Sequence, residues 1–167
     1  MKNPILRFKF DKHFTVRNLL LDLISEAPFI KIDDNDSISK TDYYIKDLEK
    51  EYINYIKTPI SKFLYECFRS YKINGFEIRT MWFQQYYKND IHKWHTHKYT
   101  NFTCVYFAEM SQNNQKTLIK NFGSDELIDY NAEEGDIIIF PAFLSHSSPI
   151  INTNDRKTII SFDLDIR

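Results

Sequence analysis

Glycine is scarce in this chain, with 3 among 167 residues. Neither a G-x-G-x-x-G fingerprint nor a G-x-x-x-x-G-K-[ST] loop occurs, so glycine-rich phosphate cradles are excluded. Cysteine is scarcer still. Cys67 and Cys104 are too few for a disulfide framework or a thiolate zinc site, and read as reduced residues of a cytoplasmic protein. No start resembles a secretory leader, and no apolar run approaches the roughly 20 residues that cross a bilayer. Neither sign of charge dominates: 22 basic residues face 23 acidic ones, for a net charge of −1. Such a balance offers no general attraction to nucleic acid or to acidic membranes, and no partner of either kind is expected.

Aromatic residues, in contrast, are plentiful at 16%, with 14 Phe and 11 Tyr. They favour strands and aromatic-lined cavities. The length suits one domain, 1–167, and its two halves differ in texture. Residues 1–74 read as N-terminal support. "ILRFKF" alternates like a strand. A helix follows, with Thr15 as its N-cap and Pro28 as its stop. "FIKIDDNDSISKTDYY" reads as a strand running into an acidic loop. A second helix is expected from Asp47 to about Tyr71, broken or kinked at Pro59. Residues 75–167 alternate in short segments separated by polar turns, among them "SQNNQ" at 111–115. Seven or eight strands after two helices predict a mostly β protein with N-terminal helices, its core a double-stranded β-helix (jelly roll, cupin-like).

Three of the five histidines fall within "HKWHTH" at 92–97. In an extended strand, residues two apart share a face, so His95 and His97 can reach one point. A lone later histidine, His146, sits in "FPAFLSHSSP". Two neighbouring ligands and a distant third are how a β-barrel builds a metal site with open coordination positions. Arg156, ten residues after His146, opens the last strand and is expected inside the barrel behind the metal. There it would pair bidentately with a dicarboxylate. Thr158 shares its strand face and adds a hydroxyl donor. Lys88, Lys93 and Lys98 flank the expected site mouth. Trp82, Trp94 and the Tyr86–Tyr87 pair are core residues or an aromatic substrate wall.

Taken together, "HTH…VYF…EEGDIIIFPAFLSHSSP…RKTIISFD" resembles the iron(II)- and 2-oxoglutarate-dependent oxygenase superfamily over roughly Trp82 to Ile166. The resemblance implies a dioxygenase that hydroxylates its substrate, with Fe(II) as cofactor and 2-oxoglutarate as co-substrate. Succinate and CO2 would be its co-products. It implies His95 and His146 as iron ligands and Arg156, helped by Thr158, as the carboxylate clamp. Tyr106 and Asn101 are further pocket candidates. The usual proximal pattern is His-x-Asp or His-x-Glu, and here His97 stands in the third position. Either His97 is itself a ligand, or it lines the pocket while water or a carboxylate such as Asp90 completes the shell. Two alternatives stay open: a three-histidine cupin-type metalloenzyme that does not use 2-oxoglutarate, and a non-catalytic jelly-roll binding module. The substrate, small or macromolecular, is likewise open at this stage.

Overall fold

The computed structural model describes residues 3–46, 48–112 and 115–167. Asp47, expected to open the second helix, and residues 113–114 of the polar turn lie outside them. The elements run β1 (Leu6–Lys9), α1 (His13–Glu26), β2 (Ile30–Asp33), β3 (Ser37–Thr41) and α2 (Glu51–Arg69). They continue with β4 (Phe76–Tyr86), β5 (His92–His95), β6 (Phe102–Glu109), β7 (Leu118–Ile119), β8 (Asp136–Pro141), β9 (His146–Ser148) and β10 (Lys157–Ile166). A seven-stranded sheet in the order β1-β8-β6-β10-β4-β3-β2 faces a three-stranded sheet, β5-β9-β7, and the strand pairs are antiparallel. This is the expected jelly roll with two helices outside it. No helix among the described residues is long and apolar enough to cross a membrane.

Strand alternation divides the large sheet into two faces. Ile137 and Ile139 of β8, Cys104 and Tyr106 of β6, Ile160 and Phe162 of β10, and Phe83 of β4 join the core beneath the helices. The opposite face carries Ile138, Phe140, Val105, Phe107, Ile159 and Tyr86 toward the small sheet. The helices meet the first face through Val16, Leu20 and Ile24 of α1 and through Tyr52, Ile56, Ile60, Leu64 and Phe68 of α2. The α2 stripe recurs every four residues without interruption. That explains why Pro59 neither ends nor restarts the helix: burial of the stripe outweighs the roughly 3 kcal/mol that an interior proline costs.

Two other local expectations change. Helix α1 starts at His13, with Lys12 at its N-cap and Thr15 inside it. The His13 ring is buried and bonded to the Tyr106 hydroxyl at 2.8 Å, so packing rather than capping sets the start. The acidic run after Ile32 is a hairpin turn, and its return strand β3 pairs with β4. "ELIDYN" makes no strand of its own; Leu127 forms only an isolated bridge to Lys120.

Candidate metal centre

Cross-strand pairing assembles the histidines. His95 of β5 lies directly opposite His146 of β9. His97 lies two residues past the end of β5, where its backbone N–H donates to the Ala142 carbonyl at 3.0 Å. One ring nitrogen from each of His95, His97 and His146 lies within 4.8 Å of the others. The shared strand face expected for His95 and His97 is therefore replaced by a strand end and a following loop. The convergence of the three rings remains.

Each ring is held by its Nδ1. His95 Nδ1 bonds the Lys93 carbonyl at 2.8 Å, and His146 Nδ1 bonds the Leu144 carbonyl at 3.0 Å. His97 Nδ1 bonds Asp163 Oδ1 at 2.7 Å. Such acceptors select the tautomer with the proton on Nδ1 and leave the Nε2 lone pair free for a metal. Burial lowers the pKa of His95, and lowers that of His146 well below the usual imidazole range, with the neighbouring His95 adding to the effect. Neutral imidazoles are what a metal ion needs. Asp90, the alternative third ligand, is taken up elsewhere. It accepts from Ser37 Oγ at 2.8 Å, Ser39 N at 3.0 Å and Tyr87 N at 2.8 Å.

Beneath the rings lies a small cavity of about 30 Å³, lined among others by Gln84, Tyr86, Thr103, Ser148, Ile159 and Ser161. It shares Trp82, Gln84, His92, His95 and His97 with an open cleft of about 510 Å³, whose rim carries Tyr43, Tyr44 and Tyr99. His92, for which the sequence suggested no role, stacks on His95 with ring centroids 3.9 Å apart. The Thr103 hydroxyl is buried and finds no hydrogen-bond partner among the described residues.

The remaining predicted residues do not join the site. Arg156 precedes β10 and donates to Glu109, from Nε at 2.6 Å and from Nη2 at 3.2 Å. Thr158 donates to the same carboxylate at 2.8 Å. The clamp's anion is thus already present, on the chain itself. Tyr106 faces the helices, bonded to His13. Asn101 lies in the loop before β6, its side-chain oxygen accepting from Ile166 N at 3.2 Å. None of Arg156, Thr158, Tyr106 and Asn101 lines either cavity.

The neighbour of Arg156, Lys157, contacts two residues that line the small cavity. Lys157 is fully buried, donates to Ser148 Oγ at 2.8 Å, and sits 5.0 Å above the Tyr86 ring. Among the described residues it forms no ion pair, and burial lowers its pKa to about 7. A one-residue change of parity exchanges the two faces of a strand. Thr158, Ile160, Phe162 and Leu164 form the face toward the helices, and Lys157, Ile159, Ser161 and Asp163 the other. The signal was present in "RKTIISFDLDI": the polar residues of that strand alternate from Lys157, not from Arg156.

No protein-family model matches the chain, and no curated protein matches its sequence. Solved structures do match. An oxidoreductase of the 2OG-Fe(II) oxygenase family from Burkholderia pseudomallei superposes with a TM-score of 0.74 at 13% identity, covering 98% of this chain and 86% of that one. A prolyl-4-hydroxylase from Pseudomonas putida gives 0.65 at 10% identity, over 99% and 94%. The non-heme alpha-ketoglutarate-dependent epimerase SnoN from nogalamycin biosynthesis gives 0.70 at 10%, over 98% and 77%. This chain has their fold. At such identities the likeness concerns the fold alone, and the neighbours' reactions differ.

Proposed function

We propose that the protein is an Fe(II)- and 2-oxoglutarate-dependent dioxygenase that hydroxylates its substrate. The observation that carries this reading is a pairing: three imidazoles converge on one point, and a buried lysine with no ion pair among the described residues bonds Ser148, which lines the cavity beneath them. A cupin-type metalloenzyme without 2-oxoglutarate has no use for that cation. A dicarboxylate does, because a buried ammonium without a carboxylate is unfavourable until an anion joins it. The donor set also fits the metal, since imidazole suits iron(II) and three protein ligands leave positions open. With 2-oxoglutarate and dioxygen, the iron would supply oxidative decarboxylation to succinate and CO2 and oxidation of a substrate C–H bond.

The chain's own residues then have distinct tasks. His95, His97 and His146 hold the ion, each ring oriented through Nδ1. Lys157, with Ser148 and the buried Thr103 hydroxyl, binds the distal carboxylate. Trp82, Tyr86 and Ile159 keep the cavity dry. A space of about 30 Å³ has room for about one water. A five-carbon acid would extend from that space into the neighbouring cleft, with which it shares Trp82, Gln84 and His92. Two free cysteines, Cys67 and Cys104, support a reducing, cytoplasmic setting.

The test is to add 2-oxoglutarate to anaerobic, iron-loaded protein and record the visible charge-transfer band of bidentate chelation. The band is expected in the wild type and absent in His146→Ala. Iron binding without a band would shift the assignment to the metalloenzyme that does not use 2-oxoglutarate. If neither iron nor 2-oxoglutarate binds, the non-catalytic binding module remains. Succinate formed together with a product that has gained one oxygen atom from 18O-labelled dioxygen would separate hydroxylation from epimerisation.

A further inference from the structure

We propose that Asp163 is a positioning residue of the metal centre: through His97 it supplies the negative charge that a directly bound carboxylate would otherwise bring. This rests on the reading of His95, His97 and His146 as metal ligands.

The three rings are anchored unequally. His95 and His146 bond neutral backbone carbonyls two residues earlier in the chain, those of Lys93 and Leu144. His97 alone bonds a carboxylate, and that carboxylate comes from β10, 66 residues away. The contact is 2.7 Å long, with side-chain exposures of 13% and 16%, so solvent screens it little. The carboxylate is itself fixed. Thr80, next to Asp163 across the β4·β10 ladder, donates its hydroxyl to Oδ2 at 2.9 Å. Among the described residues, no lysine or arginine forms an ion pair with Asp163, so no salt bridge neutralises its charge. On the other side, the Trp82 ring lies 5.6 Å from that of His97 and limits its rotation.

Three imidazole ligands leave both charges of a divalent ion uncompensated, and a buried lysine bonds Ser148 of the adjoining cavity. Non-haem iron oxygenase sites usually offset one of those charges with a carboxylate ligand. Here a carboxylate stands one imidazole further out. By accepting the Nδ1–H bond it polarises the ring, makes Nε2 a stronger donor, and fixes the ring plane. No proton transfer is needed; the hydrogen bond carries the effect.

Cobalt(II), which is stable in air, is the probe. Its affinity and visible spectrum are compared in the wild type, Asp163→Asn, His97→Asp and the His97→Asp/Asp163→Asn double variant. The isosteric Asp163→Asn is expected to weaken cobalt by about 10- to 100-fold and to shift the visible bands. In the His97→Asp background the same change should cost nothing, because the ring that transmits the charge is gone. Equal affinity of wild type and Asp163→Asn overturns the inference alone. An equal loss in both backgrounds also overturns it, since the aspartate would then act only on packing. A wild type that binds no cobalt overturns the metal centre and this inference together. A second readout needs no substitution: in the zinc-loaded wild type, the Nδ1–H of His97 should resonate downfield of those of His95 and His146. Three matching resonances would count against the proposal.

Discussion

Burying a lysine side chain without an acidic partner makes its proton easy to lose, and Lys157 is held near its titration point, at about 7, for that reason. Only the charged form attracts a carboxylate. The affinity for 2-oxoglutarate should therefore be greatest below about pH 7 and fall by up to about tenfold per unit above it. Calorimetric titration across pH 6 to pH 9 reads this directly, and a flat profile would separate Lys157 from the co-substrate. The ligand-free protein should respond in the opposite sense. From about 7 to the ordinary lysine value of 10.5, the unfolded chain binds the extra proton, so stability rises with pH through that window. Below it both states carry the proton, and the full cost of the buried charge is felt. Lys157→Met should weaken 2-oxoglutarate by about 1.5–3 kcal/mol, the usual worth of a charge-assisted contact. Arg156→Ala should leave that affinity unchanged, because its guanidinium is already paired with Glu109.

Elements in this fold are joined by a few close approaches that fix their starts and ends. Gly135, in the turn before β8, has a φ of +88°, and a Cβ there would lie 2.9 Å from His13 Cγ. Its N–H donates to the Phe107 carbonyl at 2.8 Å while its carbonyl accepts from Phe10 N at 2.9 Å, so the turn ties β6, β8 and the entry to α1 together. Gly135→Ala should cost about 2–4 kcal/mol in a urea melt, from left-handed strain plus contact with a ring that cannot move. A second junction is the buried Asp42. It accepts from Tyr52 Oη of α2 at 2.6 Å and from Phe83 N of β4 at 2.9 Å, and pairs with Lys50 at 2.8 Å. These ties hold the long helix across the sheet despite Pro59. The helices and the strand alternation were legible from residue order, because each depends on neighbours two to four positions apart. The β2–β3 hairpin was not. Its five-residue return strand has little apolar content, and its place is set by pairing with β4.

Across the whole molecule, the large sheet separates two environments, an apolar core under the helices and a polar-lined cavity under the small sheet. A metal and a dicarboxylate bound in the second would favour the folded state through mass action. Cobalt with 2-oxoglutarate, each at about 100 times its dissociation constant, should add roughly 2.7 kcal/mol per ligand. The gain would appear as a rise in melting temperature, and the cobalt share of it should vanish in His146→Ala. A shift from 2-oxoglutarate that persists without any metal would show that Lys157 and its neighbours suffice to hold the acid.

Residue order by itself determined the jelly roll with its two outer helices and the choice of His95, His97 and His146 as the converging group. Composition and alternation are properties of the chain read locally, and the His-x-His spacing survived even though His97 lies beyond the strand. Only the tertiary structure decided which residues of β10 face the cavity. Reading the strand from Arg156 or from Lys157 differs by one residue, and the choice depends on bonds to β4 and β6, whose residues lie about 50 to 90 positions earlier. That parity turns Lys157, not Arg156, toward Ser148 and Tyr86, which line the cavity. It also sets Asp163 behind His97, a contact between residues 66 positions apart that no local pattern encodes.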